Sequence, residues 1–183
     1  TYANGDDEFQ ALVDAMDSLQ QTICGEVTDG ISFIDLNARA HELLAGVLAN
    51  HGLIACSAEE IYASGVTTTF LPHGLGHLLG LQVHDVGGRL AGPDGSEHPP
   101  SEKHPRLRLT RPLENSIVVT IEPGLYFIPS LLNKLRESPF GRNVRWDKIA
   151  ALQACGGIRV EDDVVVTEEG ARNLSRPALL AAA

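Results

Sequence analysis

The run Phe70-Leu71-Pro72-His73-Gly74-Leu75-Gly76-His77, continuing through Gly80 to His84 and Asp85, constrains this chain more than any other stretch. It sets three histidines within twelve residues and punctuates them with glycine and proline. His73 and His77 stand four apart, as on a helix, yet the glycines and Pro72 make a helix costly there. Short extended pieces are expected instead from Val66 to Asp85, with Gly74 and Gly76 letting the backbone pass close to a metal centre. Two glutamates, Glu122 and Glu161, follow on strand-like segments. One histidine and two glutamates from separate segments make a donor set for a divalent cation, which points to hydrolysis.

The flanking pattern reads as α+β. Apolar residues Phe9, Leu12, Val13, Met16, Leu19 and Ile23 recur at three- and four-residue steps, which predicts a helix from Asp7 to about Cys24. A second helix is predicted from an N-cap at Ser32 to Asn50, with Leu36, Ala40, Leu43, Leu44, Val47 and Leu48 inward and Gly52 as the stop. A weaker helical piece spans Ala58 to Ala63. Residues 91 to 112 read as a long polar loop.

Ser116 to Glu122 is β-branched and ends at the turn signal Pro123-Gly124, which predicts a buried strand; Leu125 to Ile128 reads as the next. Leu131 to Gly157 reads as an insertion with helical pieces near Leu132 and from Trp146 to Ala154. Gly157 to Val166 alternates with period two, as one strand would, placing Ile158, Val160, Asp162 and Val164 on one face and Arg159 with Glu161 on the other. The alanine-rich end is expected to fray.

A length of 183 residues with 43% hydrophobic and 21% charged residues suits one domain. The net charge of −10 would repel nucleic-acid phosphates, so that partner is excluded. Cys24, Cys56 and Cys155 are odd in number and far apart, so free buried thiols in a reducing cytosol are expected, with neither a disulfide framework nor a zinc knuckle. No apolar run approaches the roughly 20 residues that span a bilayer, and no signal peptide opens the chain, so a soluble cytoplasmic protein without a membrane partner is expected. Thr1 is not a natural start, and Thr1 to Gly5 reads as a strand tail entering a turn.

Imidazole and carboxylate donors suit manganese, cobalt, iron or zinc. A glutamate ending a buried strand, as Glu122 does, needs a cation or strong donors close by. Glu161 has a plainer alternative in pairing with Arg159. His41, His51, His98 and His104 lack comparable surroundings and are set aside.

The segments Pro72 to His77, Gly80-Leu81 and Val83-His84-Asp85, then Thr120-Ile121-Glu122-Pro123-Gly124, then Gly157-Ile158-Arg159-Val160-Glu161-Asp162, resemble in order and spacing the Xaa-Pro dipeptidase (prolidase) branch of the pita-bread metallopeptidases. The likeness covers essentially the whole chain. Tyr126-Phe127-Ile128 and Trp146-Asp147-Lys148 resemble bacterial prolidases, including those that hydrolyse organophosphorus anhydrides. The resemblance implies a creatinase/aminopeptidase-like fold, a curved antiparallel sheet covered by helices, of which this chain holds the C-terminal part. It implies two divalent ions, most simply Mn2+ with Co2+ or Zn2+ as alternatives, held by His77, Glu122 and a bridging Glu161.

By the same resemblance, Glu122, His84 and His73 are the catalytic candidates, and His73, His84 and Arg159 the substrate contacts, with Arg159 either meeting a substrate carboxylate or orienting Glu161. The implied reaction is attack by a metal-bridging hydroxide on an Xaa-Pro dipeptide, releasing proline. Two further aspartate ligands and an N-terminal domain are expected upstream of Thr1; Asp6 and Asp7 do not match those ligands. A homodimer is implied as well. Cleavage of longer peptides, as by aminopeptidase P, and a metal-free pita-bread interaction module are the competing readings.

Overall fold

The apolar spacing of the first segment becomes a twenty-residue helix, α1 (Asp7–Glu26), in the computed structural model, which describes residues 7–182. The reading of Thr1 to Gly5, and Asp6, lie outside the described residues. Leu12, Met16 and Ile23 on α1 are fully buried, each contributing on the order of 2 kcal/mol by leaving water. Helix α2 (Phe33–Asn50) starts where Ser32 Oγ accepts the Asp35 N–H at 3.3 Å, and Gly52, at φ 63°, follows its end. Leu36, Ala40, Leu44 and Leu48 are buried as expected, whereas Leu43 and Val47 are only half-buried. Helix α3 (Ala58–Ser64) opens with a reciprocal capping box between Ser57 and Glu60.

A helical turn, α4 (Thr67–Phe70), occupies the start of the stretch expected to be extended. It precedes Pro72 and the first glycine of the histidine run, so neither breaker falls inside it. No helix or longer strand follows until β1 (Val118–Ile121), after which come β2 (Gly124–Tyr126), α5 (Pro129–Glu137), a 3-10 turn at Pro139–Asn143 and α6 (Trp146–Gln153). Strands β3 (Gly157–Arg159), β4 (Asp162–Thr167) and β5 (Gly170–Asn173) lead to a last helix, α7 (Arg176–Ala182). The expected fray is thus a helix: Asn173 Oδ1 accepts the N–H groups of Ser175 and Arg176 at its start.

The expected single strand over 157–166 is two strands in two antiparallel sheets, one ordered β1-β4-β5 and one pairing β2 with β3. Pro123 explains the break, because a residue without an N–H cannot continue the ladder between β1 and β2. β1 and β4 pair with Ile121 opposite Asp162. Extending that register sets Glu122 opposite Glu161, then Pro123 opposite Val160, whose N–H donates to Pro123 O at 3.3 Å. The alternation linking Arg159 to Glu161 is therefore not carried by one strand.

The chain divides into two compact units. One comprises the described residues up to Leu19, His41–Pro72 and Gly124–Arg159; its core includes Leu12, Leu44, Phe70, Leu125 and Ile149. The other comprises Gln20–Ala40, His73–Pro123 and the described residues from Val160, with Phe33, Leu75, Leu109, Val119 and Val164 in its core. His73, His77, His84, Glu122 and Glu161 all belong to this second unit. Cys24 is buried, Cys56 half-buried and Cys155 exposed, so only one of the three free thiols is the interior group expected.

Candidate metal centre

The segment through His77 runs beside β1 although it forms no regular strand. Leu79 N donates to Val118 O at 3.0 Å, Thr120 N to His77 O at 2.9 Å, and Glu122 N to Leu75 O at 2.8 Å. β1 therefore has the histidine segment on one edge and β4 on the other. The glycines make this approach possible, but toward protein backbone rather than toward a cation. A Cβ on Gly76 would stand 1.9 Å from Thr120 O, and one on Gly74 2.8 Å from Leu107 Cα.

Three ligand atoms, one each from His77, Glu122 and Glu161, lie within 4.8 Å of one another. His77 and Glu122 are buried and Glu161 is exposed. His77 Nε2 is 3.4 Å from Glu122 Oε1. The His77 Nδ1 lies 2.8 Å from Leu78 O, a group that only accepts, so Nδ1 carries a proton and Nε2 is the nitrogen left to face a metal. Thr120 Oγ1 accepts the His77 backbone N–H at 3.1 Å and donates to Glu122 Oε1 at 3.4 Å, tying the His77 backbone and the Glu122 carboxylate to β1.

These donors fit a divalent ion. Ligands about 2.1 Å from one cation stand about 3.0 Å apart at right angles and about 4.2 Å apart when opposite, and the 3.4 Å between His77 Nε2 and Glu122 Oε1 falls in that range. Carboxylates facing each other across an antiparallel pair repel, and a cation between Glu122 and Glu161 turns that repulsion into attraction.

His84 is exposed, yet its ring meets His77 edge-on, centroids 4.3 Å apart at 76°. Asp85 shapes the loop that carries it: Oδ2 accepts the Leu81 N–H at 3.2 Å and Oδ1 the Val86 N–H at 2.9 Å. A Cβ at Gly80 would stand 2.0 Å from Asp85 Oδ2. His73 is half-buried, with Nδ1 2.8 Å from Gly74 O, so its Nε2 likewise offers a lone pair in the neutral ring. Arg159 lies in the other unit, where its Nε donates to Tyr126 Oη at 2.6 Å and its guanidinium sits 5.7 Å from that ring's centroid.

Several residues that shape this centre were given no role by the sequence reading. Thr120 is one; Asn37, fully buried, accepts the Leu75 N–H at 3.0 Å and so fixes the strand-like segment before His77. Asp162, 2% exposed, could have been found, since its phase in the alternation of 157–166 put it among apolar residues, where a carboxylate needs a partner.

Residues 1–168 match the metallopeptidase family M24. The chain belongs to that family. It is 47% identical over 183 residues to an Xaa-Pro dipeptidase of Stenotrophomonas maltophilia (strain R551-3), and 47% identical over 185 residues to one of Xanthomonas axonopodis pv. citri. All of the chain is covered in each comparison but only 41% and 42% of the relative, so the chain spans about two fifths of their length.

Among solved structures, aminopeptidase P from E. coli with the inhibitor Pro-Leu is similar, with a TM-score of 0.64 and 29% identity over 93% of this chain and 31% of that one. Zn-substituted E. coli aminopeptidase P in complex with product gives a TM-score of 0.65 at 29% identity, over 93% of this chain and 32% of that one. The fold is accordingly the α+β pita-bread fold, with helices and antiparallel sheet and, among the described residues, no closed barrel. Membership of this metallopeptidase family implies divalent metal ions. Among the described residues, no helix is long and apolar enough to cross a membrane.

Proposed function

We propose that the protein carrying this chain is a dinuclear, manganese-dependent Xaa-Pro dipeptidase that releases C-terminal proline, working in the cytoplasm as a homodimer. The observation that carries the reading is the convergence of His77, Glu122 and Glu161, from separate stretches of chain, on one small volume. In this reading His77, Glu122 and Glu161 would hold the divalent ions. The further donors come from polypeptide outside this chain, including two aspartates and the N-terminal portion, so the chain alone is inactive.

Bound divalent cations would supply Lewis acidity, lowering the pKa of a water and polarising the scissile carbonyl. The chain's own residues do the rest. Glu122 moves a proton toward the leaving proline nitrogen, its carboxylate held by Thr120. His84, braced edge-on by His77, donates a hydrogen bond to the developing oxyanion. His73 binds a substrate carbonyl or carboxylate through its Nε2. Arg159, aligned by Tyr126, either meets the substrate carboxylate or orients Glu161.

The test is proline release from an Xaa-Pro dipeptide by the complete protein reconstituted with Mn2+. His77→Ala should lower kcat/KM by at least about a thousandfold, and retained turnover would overturn the assignment. A larger kcat/KM on Xaa-Pro-Xaa tripeptides than on the dipeptide would favour the aminopeptidase P-like activity of the structural neighbours over the dipeptidase activity of the sequence relatives. A protein that takes up no stoichiometric metal would instead be an interaction module.

A further inference from the structure

Resting on the metal-site reading, we propose that Gln20, Asp162 and Arg176 form a positioning network that fixes the separation of Glu122 and Glu161. Ile121 and Asp162 face each other at the last paired position of β1 and β4, so each neighbours one of the two glutamates in sequence. A polar circuit joins these neighbours. Ile121 O accepts Gln20 Nε2–H at 3.2 Å, Gln20 Oε1 accepts Arg176 Nη2–H at 3.1 Å, and Arg176 Nε–H donates to Asp162 Oδ2 at 2.9 Å. Ser175 Oγ donates to Asp162 Oδ1 at 3.2 Å, and the ladder itself closes the circuit.

Gln20 and Asp162 are 0% and 2% exposed, so water cannot replace these bonds. The interior is dry enough that burial, followed by the charge of Asp162, pushes the neighbouring Cys24 thiol up to about 12.

The electrostatics explain the arrangement. Asp162, Glu161 and Glu122 set three carboxylates around one strand end, and Arg176 pairs with Asp162, the most deeply buried of them. Without it Asp162 adds to the repulsion between the two proposed ligands, and the hydrogen-bonded link from α7 through α1 to Ile121 is lost. None of the three network residues is assigned a catalytic role; they act through the backbones that carry Glu122 and Glu161.

The experiment is calorimetric Mn2+ titration of the complete protein and of Arg176→Ala, Arg176→Lys and Gln20→Met, with Leu12→Ala as a destabilised core control. Arg176→Ala should weaken Mn2+ binding about 10- to 100-fold and Gln20→Met less, with Arg176→Lys recovering most of the loss; Leu12→Ala should lower thermal stability and leave Mn2+ affinity within about twofold. Mn2+ affinity within about twofold of wild type in folded Arg176→Ala would overturn the proposal, and if Arg176→Ala does not fold Gln20→Met decides by the same threshold. Should the wild type bind no Mn2+, the metallopeptidase reading fails by itself. The network is then judged by amide exchange at Glu122, which must be at least about tenfold faster in Arg176→Ala, or in Gln20→Met if that variant does not fold, than in Leu12→Ala; equal rates would overturn it.

Discussion

Replacing Gly76 by alanine tests whether the backbone contact between the histidine segment and β1 builds the centre. The added Cβ would stand 1.9 Å from Thr120 O, 2.8 Å from its carbonyl carbon and 3.0 Å from Oγ1, and the first two obstacles are backbone that cannot swing aside. Ordinary contact begins near 3.4 Å, so the segments must part by about 1.5 Å. Three hydrogen bonds bridge that line: His77 N to Thr120 Oγ1 at 3.1 Å, Thr120 N to His77 O at 2.9 Å and Glu122 N to Leu75 O at 2.8 Å. Such an opening carries them past the roughly 3.5 Å at which a hydrogen bond fails, and at about 1 kcal/mol or more per buried bond the loss is about 3–5 kcal/mol.

The same movement draws His77 Nε2 away from Glu122 Oε1, so Mn2+ affinity must fall together with stability. Urea denaturation and Mn2+ titration of the complete protein read both quantities. Gly46→Ala is the matched control: that glycine lies inside α2 with nothing within 4 Å of its would-be Cβ. It should stabilise by about 0.5–1 kcal/mol. A Gly76→Ala protein that loses less than about 1 kcal/mol and keeps wild-type Mn2+ affinity would refute the contact as the element that sets the site.

Two further expectations follow from local geometry. Ser116, before β1, is held at φ 71°, so Ser116→Gly should raise stability by about 1 kcal/mol in urea denaturation, and a loss would refute backbone strain there. Cys24 is raised from 9.0 to about 12 by burial first and by Asp162 second, so folding favours the neutral thiol; its contribution is complete below about pH 9 and is lost as pH climbs toward about 12. Cys24→Ala should remove that part of the alkaline loss in pH-dependent denaturation, and a native-state thiol reagent at about pH 8 should label exposed Cys155 and spare Cys24.

Helices α1 and α2 were legible because each writes a repeating apolar stripe, and the α2 boundaries carry their own signals in Ser32 and Gly52. The trio of donors was legible as residue types, since histidine and glutamate in strand and loop settings are chemically conspicuous. Asp162 looked like one more acid in an acidic run although its phase placed it inward, and its partners, Arg176 and Ser175, more than a dozen residues away, lie beyond any local pattern. The α7 helix was misread for a related reason. Its composition suggests fraying, while its anchor is a side-chain pairing that local pattern cannot reveal. The strand over 157–166 was misread because the break comes from Pro123 on the opposing segment, some forty residues earlier in the chain.

That break also bears on the choice between a metallopeptidase and a metal-free module. Within a continuous ladder, facing glutamates are a liability of roughly 0.2–1 kcal/mol when exposed, and more when one of them is buried, as Glu122 is. Pro123 ends the ladder where the two meet, and His77 Nε2 stands 3.4 Å from Glu122 Oε1 at the same place. Two carboxylates brought this close repel each other. A divalent cation attracts both of them and the His77 ring at once, so the metal-bound protein gains from a closeness that the module reading leaves without a use. If Glu122→Gln raises the stability of the metal-free protein and lowers that of the Mn2+-loaded one, the cluster is shaped for a cation; stabilisation in both states would count against it.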